Sequence, residues 1–167
     1  MLLGGVKFMV DEFTHLDNQG KARMVEINQK PDTSRRAVAR GSIYMKANTL
    51  QKVKTNEMEK GDVLGVARVA AIMGTKRTGD LIPMCHPLML TGIEVNFNFD
   101  EENCKIDIEV IVKTTGKTGV EMEALTGVSL AALTIYDMCK SIDKTMKIEH
   151  IRLAKKSGGQ SGEIENE

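Results

Sequence analysis

Hydrophobic and polar residues alternate along four segments of the chain, which is the pattern of half-buried β-strands. These four segments are 35–46, 89–99, 104–115 and 146–156. A polar DEEN connection separates the second segment from the third and has a suitable length for a hairpin. Gly41 interrupts the first segment and is a candidate β-bulge. A shorter alternation at 24–27 predicts one further strand.

Helical patterns occupy two of the intervals around these strands. Residues 48–58 predict a short helix, with Asn48 or Thr49 as its N-cap, because short polar side chains can accept a backbone hydrogen bond there. Residues 121–142 predict a long helix that is apolar over much of its circumference. A helix of this kind is usually buried on several sides.

The remaining helical pattern, 62–77, places Asp62 at the N-cap position and a glycine, Gly74 or Gly79, near the end. With the first strand in front, the main elements follow the order β-α-β-β-α-β. That order predicts an α+β, ferredoxin-like fold, in which the helices pack on one face of an antiparallel sheet.

A chain of 167 residues has the length of a single domain. We expect the domain to span 14–156, preceded by a mobile arm at 1–13 and followed by a Gly/Ser-rich, acidic tail at 157–167. The apolar start meets acidic residues at once and lacks a small-residue cleavage site, so it does not read as a signal peptide. We expect a cytoplasmic protein without a membrane span.

The charge balance argues against a nucleic-acid partner. Lysine plus arginine and aspartate plus glutamate number 23 each, so no net field attracts a polyanion. A nucleotide-sensing or RNA-binding module on the same sheet is the alternative, and Phe97 and Phe99 are its candidate stacking residues. The three cysteines form no CxxC pair, which argues against disulfides and a structural zinc ion.

The loop 80-DLIPMCHPLML-90 encloses Cys85 and His86 between Pro83 and Pro87. A metal site would need further ligands, and a cysteine nucleophile needs a base that is adjacent in space rather than in sequence. A packed structural loop is the simplest interpretation. The functional alternative is a rigid loop that points His86 towards a ligand.

Other candidates carry charge. Asp137 and Lys140 lie three residues apart on the predicted long helix and share a face, as a surface ion pair or as a paired base and acid. The turn 116-GKTG-119 lacks the first glycine of a phosphate-binding P-loop, so it is a glycine turn or an anion-binding helix start. Basic residues are solvated element ends when taken singly, but together they could neutralise a polyphosphate; they are Lys60, Lys76, Arg77, Lys155 and Lys156.

The runs 60–90, 116–140 and 152–162 closely resemble the MoaC family of molybdenum cofactor biosynthesis, the cyclic pyranopterin monophosphate synthases. The PMCHPL loop and the GVEMEALT…IYDMCK helix carry most of the resemblance, which extends over 14–162. One departure is Gln160, where some relatives carry lysine.

The resemblance implies a lyase that converts 3′,8-cyclo-7,8-dihydroguanosine 5′-triphosphate to cyclic pyranopterin monophosphate and releases pyrophosphate. By motif match Asp137, Lys140 and Lys60 are the catalytic residues. The matched substrate-binding residues are Met84, Cys85, His86, Glu121, Met122, Glu123, Arg77 and Lys156.

The resemblance also implies an assembly and a pathway. We expect a homohexamer, a trimer of dimers with sites at subunit interfaces, and a radical-SAM enzyme that supplies the substrate. The reaction needs proton transfers rather than electrons, so we expect no redox cofactor. We also expect no protein metal site, because the sequence shows no suitable set of ligands. A divalent ion that accompanies the triphosphate is compatible with this expectation.

Overall fold

The computed structural model describes residues 19, 21, 24, 26–27, 31–159 and 162–166. The predicted arm at 1–13 and Gln160 lie outside these residues. The elements in chain order are β1 Thr33–Tyr44, α1 Ala47–Lys54, α2 Val63–Lys76, α3 Thr78–Leu81, β2 Leu90–Asp100, β3 Lys105–Gly116, α4 Glu121–Cys139, β4 Lys147–Ser157 and β5 Ile164–Glu165.

The five strands form one sheet in the order β2-β3-β1-β4-β5, and each strand is antiparallel to its neighbours. Helices α2 and α4 pack against each other, with α4 against β1, β3 and β4 and α2 against β2. The α+β, ferredoxin-like prediction is therefore confirmed. The two-residue β5, within the predicted tail, pairs with the end of β4.

The core lies between the sheet and α4. Ile43 of β1, Val110 of β3 and Ala132 of α4 are fully buried there. Their burial follows from the period-two pattern of the strands and the broad apolar surface of the helix. This packing fixes the position of α4 across the sheet.

The irregularity predicted at Gly41 is present, and the extra residue belongs to β4. Between the pairs Arg40–Arg152 and Ser42–Glu149, β4 advances by one more residue than β1. A Cβ on Gly41 would lie 2.7 Å from Cγ1 of Val128, so the close approach of α4 requires glycine.

The predicted cap of α1 is wrong. The N-cap residue is Lys46, which makes no side-chain cap, while Asn48 and Thr49 lie inside the helix. The carboxylate of Asp143, distant in sequence, accepts the hydrogen bond from the Lys46 N–H at 2.8 Å. A cap supplied by another part of the chain leaves no local signal in the sequence.

Other boundaries also differ. Asp62 is the N-cap of α2, as predicted, but the helix continues through Gly74 to Lys76. Gly74 lies inside the helix rather than at its end. Its role is to make room for Leu130 of α4, whose Cδ1 would lie 1.9 Å from an added Cβ.

The strand predicted at 24–27 is not formed, since the described residues 24, 26 and 27 lie in no strand. An alternation of four residues is too short to distinguish a strand from coil. Helix α1 ends at Lys54 rather than residue 58, and Asn56 has a positive φ of 58°. Helix α4 ends at Cys139, whose carbonyl accepts from the N–H groups of Ile142 and Asp143.

Candidate active site

Asp137 lies between two lysine side chains at the C-terminal end of α4. Its Oδ1 is 2.6 Å from Nζ of Lys140, and its Oδ2 is 3.0 Å from Nζ of Lys60. The Lys60 ammonium also donates to the main-chain carbonyl of Asp137 at 3.0 Å. Both predicted catalytic lysines therefore contact the third predicted catalytic residue, Asp137.

Two segments bring these groups together. Asp137 lies in the last turn of α4 and Lys140 is its C-cap, so their spacing along the helix is sufficient to pair them. Lys60 comes from the loop before α2, next to Gly61 with φ of 82°. The Asp62 side chain then starts α2 by accepting from the Gly65 N–H at 2.8 Å.

The lysines keep this carboxylate charged. The hydrogen bond from Lys140, followed by that from Lys60, lowers the pKa of Asp137. In turn the carboxylate raises the pKa of Lys140. The side chains are about half exposed, so a substrate can reach them. At neutral pH the group offers a proton acceptor beside two ammonium donors.

A second group of predicted residues surrounds the opposite end of α4. Nζ of Lys156 on β4 is 2.9 Å from Oε1 of Glu121, the first residue of the helix. Met122 is exposed beside it, whereas Glu123 is 4 % exposed. Arg77, the C-cap of α2, lies at this end as well. Its position follows from Thr75, two residues earlier, whose hydroxyl donates to the Glu123 carbonyl at 3.2 Å.

The Pro-Cys-His loop packs against this same end. A Cβ on Gly79 of α3 would lie 3.3 Å from the Pro87 backbone, so α3 supports the loop closely. Burial, and then the charge of Glu123, raises the pKa of the Cys85 thiol. Burial likewise raises the pKa of Glu123. A thiol in this environment stays protonated, which disfavours the nucleophile interpretation. Met84 and His86 flank Cys85 and are half-buried.

A cavity of about 340 Å³ opens beside Lys156, bounded by the 117–119 turn and by Ser157, Gly158 and Gly159. Its charged lining residues are Arg35, Arg36, Lys117, Lys156 and Glu121. Four cations against one carboxylate make it a suitable anion site.

Arg35 was not among the predicted site residues. Its Nε donates to the Gly116 carbonyl at 2.8 Å and its Nη2 to the Lys117 carbonyl at 3.1 Å, so it fixes the GKTG turn at the cavity wall. The sequence signal that could have found it is the arginine pair in β1, whose distance from the turn is set only by pairing with β3.

The two groups do not form one site within a subunit. Glu121 and Asp137 lie about 24 Å apart along α4 at 1.5 Å per residue. Lys60 contacts Asp137 whereas Lys156 contacts Glu121, so these lysines cannot hold one triphosphate together in a single subunit. The chain instead presents the three predicted catalytic residues at one end of α4 and the predicted substrate-binding residues at the other.

A larger cavity, about 680 Å³, lies on the helix-free face of the sheet and contains none of the predicted site residues. Its lining charges pair with one another, as Arg40 does with Glu109 at 2.9 Å and Lys105 with Asp107 at 2.8 Å. The stacking residues of the RNA-binding alternative, Phe97 and Phe99, pack against the core. The residues suited to catalysis and anion binding therefore lie at the two ends of α4 rather than in this cavity.

Metal-ligand clusters are absent from the described part of the chain, where no three or more histidine, cysteine, aspartate or glutamate residues gather. No helix among residues 31–159 is long and apolar enough to cross a membrane.

Comparison with known proteins points to one family. The sequence matches the MoaC family over residues 24–159. A relative from Thermoanaerobacter pseudethanolicus (strain ATCC 33223 / 39E) is 59% identical over 154 residues, which cover 92% of this chain and 98% of the relative. That relative is named cyclic pyranopterin monophosphate synthase.

Two further relatives carry the same name. The protein from Heliobacterium modesticaldum (strain ATCC 51547 / Ice1) is 58% identical over 153 residues, or 92% of this chain and 96% of its own length. The protein from Roseiflexus castenholzii (strain DSM 13941 / HLO8) is 56% identical over 155 residues, or 93% of this chain and 98% of its own.

Proposed function

The chain belongs to the MoaC family, and from that premise we propose that it is a cyclic pyranopterin monophosphate synthase of molybdenum cofactor biosynthesis. Its substrate is 3′,8-cyclo-7,8-dihydroguanosine 5′-triphosphate, and its products are cyclic pyranopterin monophosphate and pyrophosphate. The observation that carries the proposal is the ionised Asp137 held between Lys60 and Lys140, since ring rearrangement and cyclisation need proton transfers.

In the cyclisation step a substrate hydroxyl attacks the phosphorus nearest the sugar. The new P–O bond forms as the bond to the outer two phosphates breaks, and those two phosphates leave as pyrophosphate. The Asp137 carboxylate accepts the hydroxyl proton, and Lys140 donates a proton where negative charge develops. The lysine ammonium groups beside Asp137 also stabilise the negative charge that develops in this step.

The outer phosphates bind in the cavity beside Lys156. Arg35, Arg36, Lys117 and Lys156 supply the positive charge that a triphosphate needs, in a chain with no net charge. Because Arg35 already donates to two carbonyls of the GKTG turn, the turn is fixed before substrate arrives. His86 and Met122 then contact the base end of the substrate from the loop and the helix start.

One substrate can reach both residue groups only at a subunit interface. The groups lie about 24 Å apart on α4, so we propose that the Asp137 end of one subunit meets the Lys156 end of another. Two copies of α4 placed antiparallel would bring opposite ends together at two equivalent sites. This arrangement is isologous, and it makes a monomer inactive.

An apolar surface supports such an interface on the helical layer. Val66, Val69 and Met73 follow one another along the outward side of α2, with 48 %, 61 % and 43 % exposure. Leu133 of α4 is 54 % exposed and lies about three turns from Met122 on the same side of the helix. Apolar residues spaced this way on paired helices commonly form a contact between subunits.

The wider expectations belong to the same proposal. The assembly is a homohexamer built as a trimer of dimers, and a radical-SAM enzyme makes the GTP-derived substrate. No redox cofactor takes part, because no electrons are transferred. We propose no resident metal, and a divalent ion would arrive with the triphosphate. The protein acts in the cytoplasm, where its nucleotide-derived substrate is formed.

The direct test is pyrophosphate release from the cyclic triphosphate substrate by the wild type and by Asp137→Ala. We expect release by the wild type and a loss of about 10²-fold or more in the variant, because the acid–base carboxylate is removed. No release by the folded wild type would contradict the proposed activity. Equal release by both proteins would remove Asp137 from the mechanism.

A further inference from the structure

Asp143 is a buried carboxylate in the turn between α4 and β4, three residues beyond Lys140. The residue is 1 % exposed. Its Oδ2 accepts from the Lys46 N–H at 2.8 Å and from the Thr49 hydroxyl at 3.2 Å. Its Oδ1 accepts from the N–H and the hydroxyl of Thr145, at 3.0 Å and 2.7 Å.

These hydrogen bonds keep the buried carboxylate charged. Burial alone would raise the pKa of Asp143, but donation from Lys46, Thr145 and Thr49 overcomes it and lowers the pKa. The Lys46 ammonium lies 4.0 Å from Oδ1 and is mostly exposed. Burial, with a contribution from the Asp143 charge, raises the pKa of neighbouring Cys139 to about 11, so that thiol is neutral.

The two oxygens of Asp143 bind two different segments. Oδ2 holds the start of α1, and α1 leads through the buried Met58 to the loop that carries Lys60. Oδ1 holds the turn that follows Lys140 directly. The segments that supply the two cations around Asp137 therefore meet at this one carboxylate.

We propose that Asp143 is a positioning residue that sets the places of Lys60 and Lys140 around the Asp137 carboxylate. It acts through these lysines and touches neither substrate nor product. The inference rests on the proposed function for its catalytic consequence, but its geometric content concerns only the Asp137 group. Asp143 could alternatively serve the fold alone, as a cap for α1, and the test must separate these roles.

The test is the titration of the Asp137 carboxyl, followed by carbon-13 NMR without substrate. The variants are Asp143→Asn, which removes the charge, and Thr49→Val, which removes only the bond from α1. Gly127→Ala, where α4 contacts Thr75 of α2 and Val110 of β3, serves as a control that disturbs core packing at a residue that makes none of the Asp143 hydrogen bonds.

We expect the pKa of Asp137 to rise towards its ordinary value in Asp143→Asn and by a smaller amount in Thr49→Val. It should stay unchanged in Gly127→Ala. Turnover should fall about 10- to 100-fold in Asp143→Asn, since small displacements of catalytic groups have effects of that size. The alkaline limb of its pH profile should move to lower pH, because Lys140 loses part of its contact with Asp137.

An Asp137 titration unchanged in Thr49→Val and in any folded Asp143→Asn would overturn the inference, whatever happens to turnover. If Asp143→Asn does not fold, Thr49→Val decides. A shift as large in Gly127→Ala would also overturn it, since a general disturbance of core packing would then explain the result. Shifted titrations in a protein that releases no pyrophosphate would support the positioning role while contradicting the proposed function.

Discussion

Asp137 shows how a common surface feature becomes a candidate reactive group. A single exposed pair such as Asp137 and Lys140 contributes little to stability and has no necessary function. The addition of Lys60 on the second oxygen changes this, because both oxygens of one carboxylate are then held by cations. The pair follows from helical spacing, whereas the catalytic role of Lys60 was assigned only from the family resemblance.

Replacing Lys140 by alanine tests this group most simply. We expect Lys140→Ala to lower kcat by about 10²- to 10⁴-fold, the usual contribution of a positioned acid or base. The oligomer should be retained, as measured by size-exclusion chromatography with light scattering. Lys144→Ala is the matched control, an exposed lysine in the following turn that is not in the group. Undiminished activity of Lys140→Ala would remove Lys140 from the mechanism.

At the residue scale, Arg35 shows what the sequence could not reveal. Its alternating position in β1 predicts a strand residue, and nothing in its neighbours indicates a contact with a turn 81 residues away. The contact exists because β1 pairs with β3 so that Thr33 lies opposite Gly116. Long-range pairing of this kind is a property of the folded chain.

At the scale of elements, local chemistry predicted the strands closely and the helix ends less well. Alternation in the third strand placed it at 104–115, and β3 is Lys105–Gly116. Asp62 was found because an N-cap acts within its own turn. The start of α1 was missed because its cap comes from Asp143, and the passage of α2 through Gly74 depends on Leu130 of another helix.

The contact of α4 with the sheet gives a prediction about stability. Gly127 lies where an added Cβ would be 2.6 Å from Oγ1 of Thr75 and 2.9 Å from Cγ1 of Val110, both of which are buried. Alanine favours the helix by about 1 kcal/mol, but overpacking costs about 1–3 kcal/mol. We expect Gly127→Ala to lower the free energy of unfolding by up to about 2 kcal/mol in urea titrations.

Ser129→Ala is the control for this prediction. The Ser129 hydroxyl bonds only within α4, to the Leu125 carbonyl at 2.9 Å among the contacts described, so its loss should change the unfolding free energy by less than about 0.5 kcal/mol. A Gly127→Ala protein more stable than the wild type would show that the contact can relax and that helix propensity decides.

At the scale of the whole molecule, the predicted site residues are divided between the two ends of one helix, α4. The sequence identifies both groups and suggests about 20 Å between their members along the helix axis. It does not show how subunits meet, since that depends on surfaces such as the outward sides of α2 and α4. In the proposed assembly, the exposed Val69 and Leu133 lie where a second copy would pack.

The central claim is that two subunits complete each site, and mixed oligomers test it most directly. Asp137→Ala and Lys156→Ala subunits, each inactive alone, are unfolded together, refolded and purified through two different tags. In an isologous pair one of the two sites then has both groups intact, so the mixed pair should recover about half of the wild-type activity.

The matched control combines Asp137→Ala with Lys140→Ala, which alter the same end of α4. No site in that mixture is intact, so activity should stay at the level of the single variants. Recovery with Asp137→Ala and Lys156→Ala, but not in the control, is the predicted result. No recovery in verified mixed oligomers, or full activity in an isolated monomer, would contradict a site shared between subunits.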